Sequence, residues 1–165
     1  MGDGSVIAYA GLGANLGAAV QTLELAVGRM DLDIPGVRVA ARSRVYHSAP
    51  VGPPDQPWYA NMAVALACGA GVTPDFLFAG LMTIERELGR NRILERRFGP
   101  RFIDIDLLAF GRERRNTAEL ILPHPRMMDR AFVLVPLAEI APDAHPLPDG
   151  LPFAAHGTII VQTGP

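Results

Sequence analysis

Two strand-like stretches, VRVAARSRVY (37–46) and YANMAVALAC (59–68), are joined by a proline-rich loop too short to carry a crossover helix. Parallel neighbours need a crossover of about a dozen residues or more, usually helical, so this pair belongs to an antiparallel or mixed sheet. In the first stretch Val37, Val39, Ala41 and Val45 share one face and Arg38, Arg42 and Arg44 the other, as in a strand with one side in water.

The remaining pattern supplies helices to cover that sheet. VIAYAGLGAN (6–15) reads as a strand entering a glycine-rich turn, followed by Leu16, Val20, Leu23, Val27 and Met30 at helical spacing with Asn15 as the expected N-cap. Thr73, Pro74 and Asp75 form a helix start, Leu77, Leu81, Ile84 and Leu88 an apolar stripe, and Gly89 a stop. After a strand ending at Phe110 come a charged loop (111–119), an apolar stretch broken by prolines, and a Pro-rich tail from Pro142 with a last strand expected in GTIIVQT. The fold class is α+β, helices packed on a mainly antiparallel sheet. No repeat or linker divides the chain, so one domain over 1–165 is expected.

The strand 99–110, GPRFIDIDLLAF, raises a chemical question, because carboxylates are seldom placed in a buried strand without a partner. Alternation puts Ile103, Ile105, Leu107 and Ala109 on one face and Phe102, Asp104, Asp106, Leu108 and Phe110 on the other. The two aspartates then lie about 6.6 Å apart along the backbone, close enough to share a metal site or to form two salt bridges with arginine. Just before them, RELGRNRILERRFGPR (86–101) carries six arginines against two glutamates. Hard carboxylates beside guanidinium groups suit a magnesium-bound polyphosphate, while a solvated helix end or an RNA-binding loop with Phe98 for stacking would use the same arginines.

All fifteen basic residues are arginine, which removes every mechanism needing lysine, including the Walker A lysine and a pyridoxal Schiff base. A net charge of −2 gives no global reason for nucleic-acid or membrane binding. Cys68 is the sole cysteine, so no internal disulfide forms, and it reads as a packing residue. No stretch reads as a signal peptide or a membrane helix, and a cytoplasmic monomer with no membrane or nucleic-acid partner is expected. GLGANLG misses the dinucleotide-binding spacing and reads as a structural turn. His47, His145 and His156 stand alone, without a second ligand at metal spacing. In the loop 47–64, Tyr59 and Asn61 at i and i+2 can present an aromatic face and an amide to a flat polar heterocycle.

Taken together, GLGANLG, YHSAPVGPPDQPWYAN, IERELGRNR, GPRFIDIDLLAFG and LPHPRMMDRAFVLVPLAEIAPD, in this order over residues 6–143, strongly resemble the 6-hydroxymethyl-7,8-dihydropterin pyrophosphokinase family of the folate pathway. The resemblance implies a ferredoxin-like α-β-α sandwich and transfer of pyrophosphate from MgATP to the pterin hydroxymethyl group, releasing AMP. It implies two Mg²⁺ ions held by Asp104 and Asp106, with Arg90 and Arg92 closing over the phosphates. Glu85, Arg97, Arg101, Leu107, His124 and Arg130 would serve the nucleotide. Ser48, Ala49, Val51, Tyr59, Asn61, Phe98 and Phe132 would surround the pterin, with Tyr59 and Phe132 on its faces and Asn61 on its amide edge. Met82 departs from a glutamine common at its position, and Phe98 from a tryptophan. A metal-dependent phosphohydrolase and a non-catalytic RNA-binding module are the rival readings.

Overall fold

The computed structural model describes residues 4–141 and, as backbone, 160–162. The tail from Pro142, with His145 and His156, lies outside the described residues apart from that last segment. In chain order the elements are β1 (Val6–Ala14), α1 (Ala19–Asp33), β2 (Val37–Arg42), β3 (Tyr46–Ser48), β4 (Tyr59–Cys68), α2 (Pro74–Glu87), β5 (Asp104–Phe110), β6 (Arg115–Asn116), β7 (Ile121–Leu122), a 3₁₀ turn (Met127–Asp129), α3 (Ala131–Ile140) and β8 (Ile160–Gln162).

The main sheet runs β5-β1-β4-β3-β8, with β2 also on β4, and its pairings are antiparallel. β4 is its spine: one edge takes β1 along the whole length, while the other is shared by β2 against Val64–Cys68 and β3 against Tyr59–Asn61. The single strand expected over 37–46 is therefore two. At the break Ser43 donates its N–H to Ala63 O and accepts the Ala63 N–H on its Oγ, so a side chain completes the ladder where the backbone turns away.

Helices cover both faces, giving the α-β-α sandwich. α1 and α2 bury Leu23, Met30, Leu77, Leu81 and Ile84 against Ala8, Leu12, Met62, Val64 and Leu66. On the opposite face α3 and Met127 bury Val133 and Leu137 against Tyr9, Ala63, Ala65 and Leu108. α2 starts as its sequence requires, with Thr73 Oγ1 accepting from Phe76 N at 3.1 Å and Pro74 at the first helical position. Leu81 is fully buried in it, so Leu81→Ala should cost about 2–5 kcal/mol, read as a lower urea midpoint at unchanged slope.

Three local expectations are corrected. Asn15 does not cap α1, which begins behind Ala18 without a side-chain cap; the Asn15 amide is engaged elsewhere. Gly11 and Gly13 of GLGANLG are not in a turn but inside β1. In β5 a bulge opposite Tyr9 and Ala10 leaves Leu108 out of register, so Ala109 joins Leu108 on the α3 side while Phe110 crosses to the α1/α2 core. Asp104 and Asp106 precede the bulge and keep their common face.

Candidate active site

That common face is the α3 side of the sheet, and the pairing register lays out two rows of side chains there. Asn61 on β4, Gly13 on β1 and Asp104 on β5 form one row; Ala63, Gly11 and Asp106 form the next. Absent side chains at Gly11 and Gly13 hollow the sheet at its centre. A Cβ on Gly13 would stand 3.3 Å from Asn61 Oδ1, tighter than ordinary contact. The result is a cavity of about 180 Å³ whose floor runs without obstruction from an amide to a carboxylate pair.

One end of the cavity is apolar and aromatic. Ser48 ends β3 and Ala49 and Val51 follow it, Tyr59 and Asn61 open β4, and Phe98 and Phe132 complete the wall; all seven line the cavity. The Asn61 amide is fixed, because its Nδ2 donates to Ser48 Oγ at 2.7 Å and to Tyr46 O at 3.3 Å. Its donors are thereby used within the protein, and Oδ1 is left as an acceptor on the Gly13 side. Tyr59 donates its hydroxyl to Gly99 O at 2.9 Å, and burial raises its pKa.

The other end is charged. Asp104 is ringed by guanidinium groups: Arg90 Nη1 at 2.7 Å and Arg101 Nη1 at 3.1 Å donate to it, and Arg92 Nη2 stands 3.9 Å away. The Arg90 side chain is 7% exposed and also meets Ile103 O and Glu95. Glu85, at the end of α2 and 2% exposed, accepts from Ile105 N at 2.8 Å and from Arg92 at 2.8 and 3.1 Å, joining α2, the arginine loop and β5 at one carboxylate. Burial raises the Glu85 pKa, against the pull of the Ile105 N–H and the arginines.

Asp106 has no comparable neutralisation. Its nearest cationic neighbour, Arg130 Nη1, is 3.6 Å away, and His124 Nε2 is at 3.8 Å. Burial, reinforced by Asp104, pushes the Asp106 carboxyl up to about 7. Burial and Arg130 together push His124 down to about 4, so the imidazole is neutral at pH 7 and makes no ion pair with Asp106.

The sequence-expected residues thus fall into three groups. Arg101, Asp104, Asp106 and Arg130 line the cavity with the seven aromatic-end residues. Glu85, Arg90, Arg92 and His124 stand around the carboxylates. Two are placed apart: Arg97 lies over the Phe98 ring at 4.9 Å, and the Leu107 side chain is buried in the α1/α2 core. Sequence reasoning missed Gly11, Gly13, Leu12, Met62, Asp129 and Val133 as lining residues. The i, i+2 glycines inside an otherwise strand-forming run were the available signal for the first two.

The α+β sandwich holds an aromatic-lined cavity continuous with an acidic pair and a ring of arginines, and the comparisons make the class of protein a kinase-type transferase. The 7,8-dihydro-6-hydroxymethylpterin-pyrophosphokinase family model matches residues 9–142. A relative from Methylorubrum extorquens, named 2-amino-4-hydroxy-6-hydroxymethyldihydropteridine pyrophosphokinase, is 48% identical over 136 residues, covering 82% of this chain and 83% of its own. A Bacillus subtilis protein of the same name is 45% identical, covering 81% and 77%. Among solved structures, one described as HPPK-DHPS in complex with substrates superposes with a TM-score of 0.58 at 13% identity, over 83% of this chain and 40% of its own, a likeness of fold. The chain belongs to the 7,8-dihydro-6-hydroxymethylpterin-pyrophosphokinase family; it is a pyrophosphokinase of folate biosynthesis.

Proposed function

We propose that the cavity binds 6-hydroxymethyl-7,8-dihydropterin at its aromatic end and the polyphosphate of MgATP at its carboxylate end, and that the pterin hydroxyl attacks the β-phosphorus. The bond from that phosphorus to the α,β-bridging oxygen breaks, AMP leaves, and the pterin carries the pyrophosphoryl group. What supports this reading is the continuity of the floor: Asn61, Gly13 and Asp104 are direct neighbours in the sheet, so an acceptor held at Asn61 points toward Asp104.

In this reading Tyr59 and Phe132 face the ring, Asn61 Oδ1 accepts from its N–H edge, and Ser48, Ala49, Val51 and Phe98 close the sides. Placing hydroxyl and phosphate in one channel reduces the orientational cost of the encounter. Arg90, Arg92, Arg101 and Arg130 carry phosphate charge, and Glu85 holds Arg92 near the site until phosphate competes for it. His124, Arg97 and backbone groups at Leu107 complete the nucleotide contacts.

The carboxylates fit Mg²⁺. Among the described residues no three His, Cys, Asp or Glu side chains are placed so that together they could hold a metal ion, so an ion would complete its oxygen shell from phosphate and water, as Mg²⁺ does. Asp106, half-buried beside Asp104 and weakly neutralised, is the carboxylate that gains most from a cation. Two ions held by Asp104 and Asp106 would supply charge stabilisation at the β- and γ-phosphate oxygens.

The chain acts as one domain and a cytoplasmic monomer in this proposal; no described helix is long and apolar enough to cross a membrane. Chromatography of products tests the reaction: AMP should form from ATP only with both the pterin and Mg²⁺ present. ADP and phosphate released regardless of pterin would replace this reading with a phosphohydrolase.

A further inference from the structure

Residues 51–58 form a surface loop with one buried member: Gln56 is 7% exposed and Pro53 half-buried, while Val51, Gly52, Pro54, Asp55, Pro57 and Trp58 all face water. A glutamine buried in a surface loop needs partners, and Gln56 reaches outside its own loop for them. Its Nε2 donates to Phe98 O at 2.9 Å and to Pro53 O at 3.0 Å. Its Oε1 accepts from Asn15 Nδ2 at 3.0 Å. Asn15, 5% exposed, donates from the same nitrogen to Pro57 O at 2.9 Å and accepts the Arg101 N–H on Oδ1 at 2.9 Å.

We propose that the buried Asn15–Gln56 amide pair is a positioning device that ties the loop 51–58 to the segment 98–101, so that the pterin slot and the phosphate-end arginine are set as one body. This rests on the substrate assignment proposed above. Phe98 and Arg101 both line the cavity, at its two ends, and each is held through its backbone by one member of the pair. Tyr59 joins through its hydroxyl on Gly99 O.

Two further observations make the tie specific. Phe98 is the one non-glycine residue with positive φ among those described, at 56°, a conformation kept only where surroundings hold it. Gly52, at φ 125°, lies against it so closely that a Cβ there would be 2.8 Å from Phe98 Cβ. Neither loop can shift far without the other. An isolated structural glutamine would not need to bond the backbone of a cavity-lining residue on a distant segment; this one does so at the point where the Phe98 ring is aimed.

The test is steady-state AMP formation by the wild type, Gln56→Met, Phe98→Ala and the double variant, varying 6-hydroxymethyl-7,8-dihydropterin and MgATP separately. Gln56→Met keeps the volume and removes the hydrogen bonds. The pterin KM should rise roughly tenfold while the MgATP KM stays within about twofold, because Phe98 loses its backbone tie while Asn15 Oδ1 still holds the Arg101 N–H. In the Phe98→Ala background the same substitution should change the pterin KM by less than about twofold, since there is no ring left to aim. A full tenfold effect in both backgrounds, or equal rises in both KM values, would overturn the proposal. Should Gln56→Met fail to fold, Tyr59→Phe removes the hydroxyl ties to Gly99 O and, at 3.5 Å, to Gln56 Oε1 and should raise the pterin KM about threefold; no change overturns the coupling. Wild-type protein with no pterin-dependent AMP would overturn the substrate assignment itself and this proposal with it, whereas normal wild-type turnover with an unaffected Gln56→Met removes the positioning role alone.

Discussion

Asp106→Asn is expected to leave a folded protein that melts higher than the wild type at pH 8 while losing about a thousandfold or more of kcat/KM. The two effects share one cause. Asp106, its side chain 26% exposed, lies near Asp104 with its closest guanidinium at 3.6 Å, so in the metal-free fold its charge is costly. Folding raises its pKa from 3.8 to about 7. A raised acid pKa means the folded state prefers the protonated form, so the penalty is absent below about pH 4, grows as pH rises, and is complete above about pH 7. Asparagine removes the penalty and with it the negative ligand that the proposed phosphate-bound cation would need. Melting curves in EDTA should therefore show a gain at pH 8 and almost none at pH 4. Asp104→Asn differs in sign, because it strips Arg90 and Arg101 of their shared carboxylate and leaves a nearly buried guanidinium underpaired. Near-normal turnover by Asp106→Asn at low Mg²⁺ would remove Asp106 from the metal site.

The carboxylate pair, the helix 74–87 and the central strand 59–68 were legible in the chain because each is announced locally, by alternation, by a Thr-Pro-Asp start or by a charge out of place. What escaped depends on partners distant in sequence. Asn15 has the composition of an N-cap, and only the fold reveals that Gln56, Pro57 and Arg101, more than 40 residues away, compete successfully for its amide. The break in 37–46 depends on Ser43 substituting its hydroxyl for a backbone acceptor opposite Ala63. The bulge at Leu108 flips the last two residues of β5, which no alternation rule can show from one strand alone. α3 carries no side-chain cap, contains Pro136 and is apolar over most of its surface, so neither period nor termini mark it. It becomes a helix because it covers the sheet face on which Tyr9, Ala63 and Ala65 would otherwise be exposed.

Asn61→Leu should produce the second large effect, raising the pterin KM at least a hundredfold with a smaller change in the MgATP KM. A heterocycle that offers an N–H edge must find an acceptor when it leaves water, and an unpaired buried donor is costly. Asn61 meets that need as a fixed group: Ser48 Oγ and Tyr46 O hold its Nδ2, so the carbonyl cannot exchange places with the amine, and Gly13 leaves the space in front of it open. Ser48→Ala then provides a graded control. It leaves the acceptor in place but releases the bond that orients it, so the pterin KM should rise roughly tenfold, between wild type and Asn61→Leu. Titration of each variant with the pterin, alongside circular dichroism to establish folding, separates the outcomes. If Asn61→Leu bound the pterin as tightly as the wild type, the heterocycle would have to be recognised elsewhere, and the row Asn61–Gly13–Asp104 would no longer define the direction along which the hydroxyl approaches phosphate.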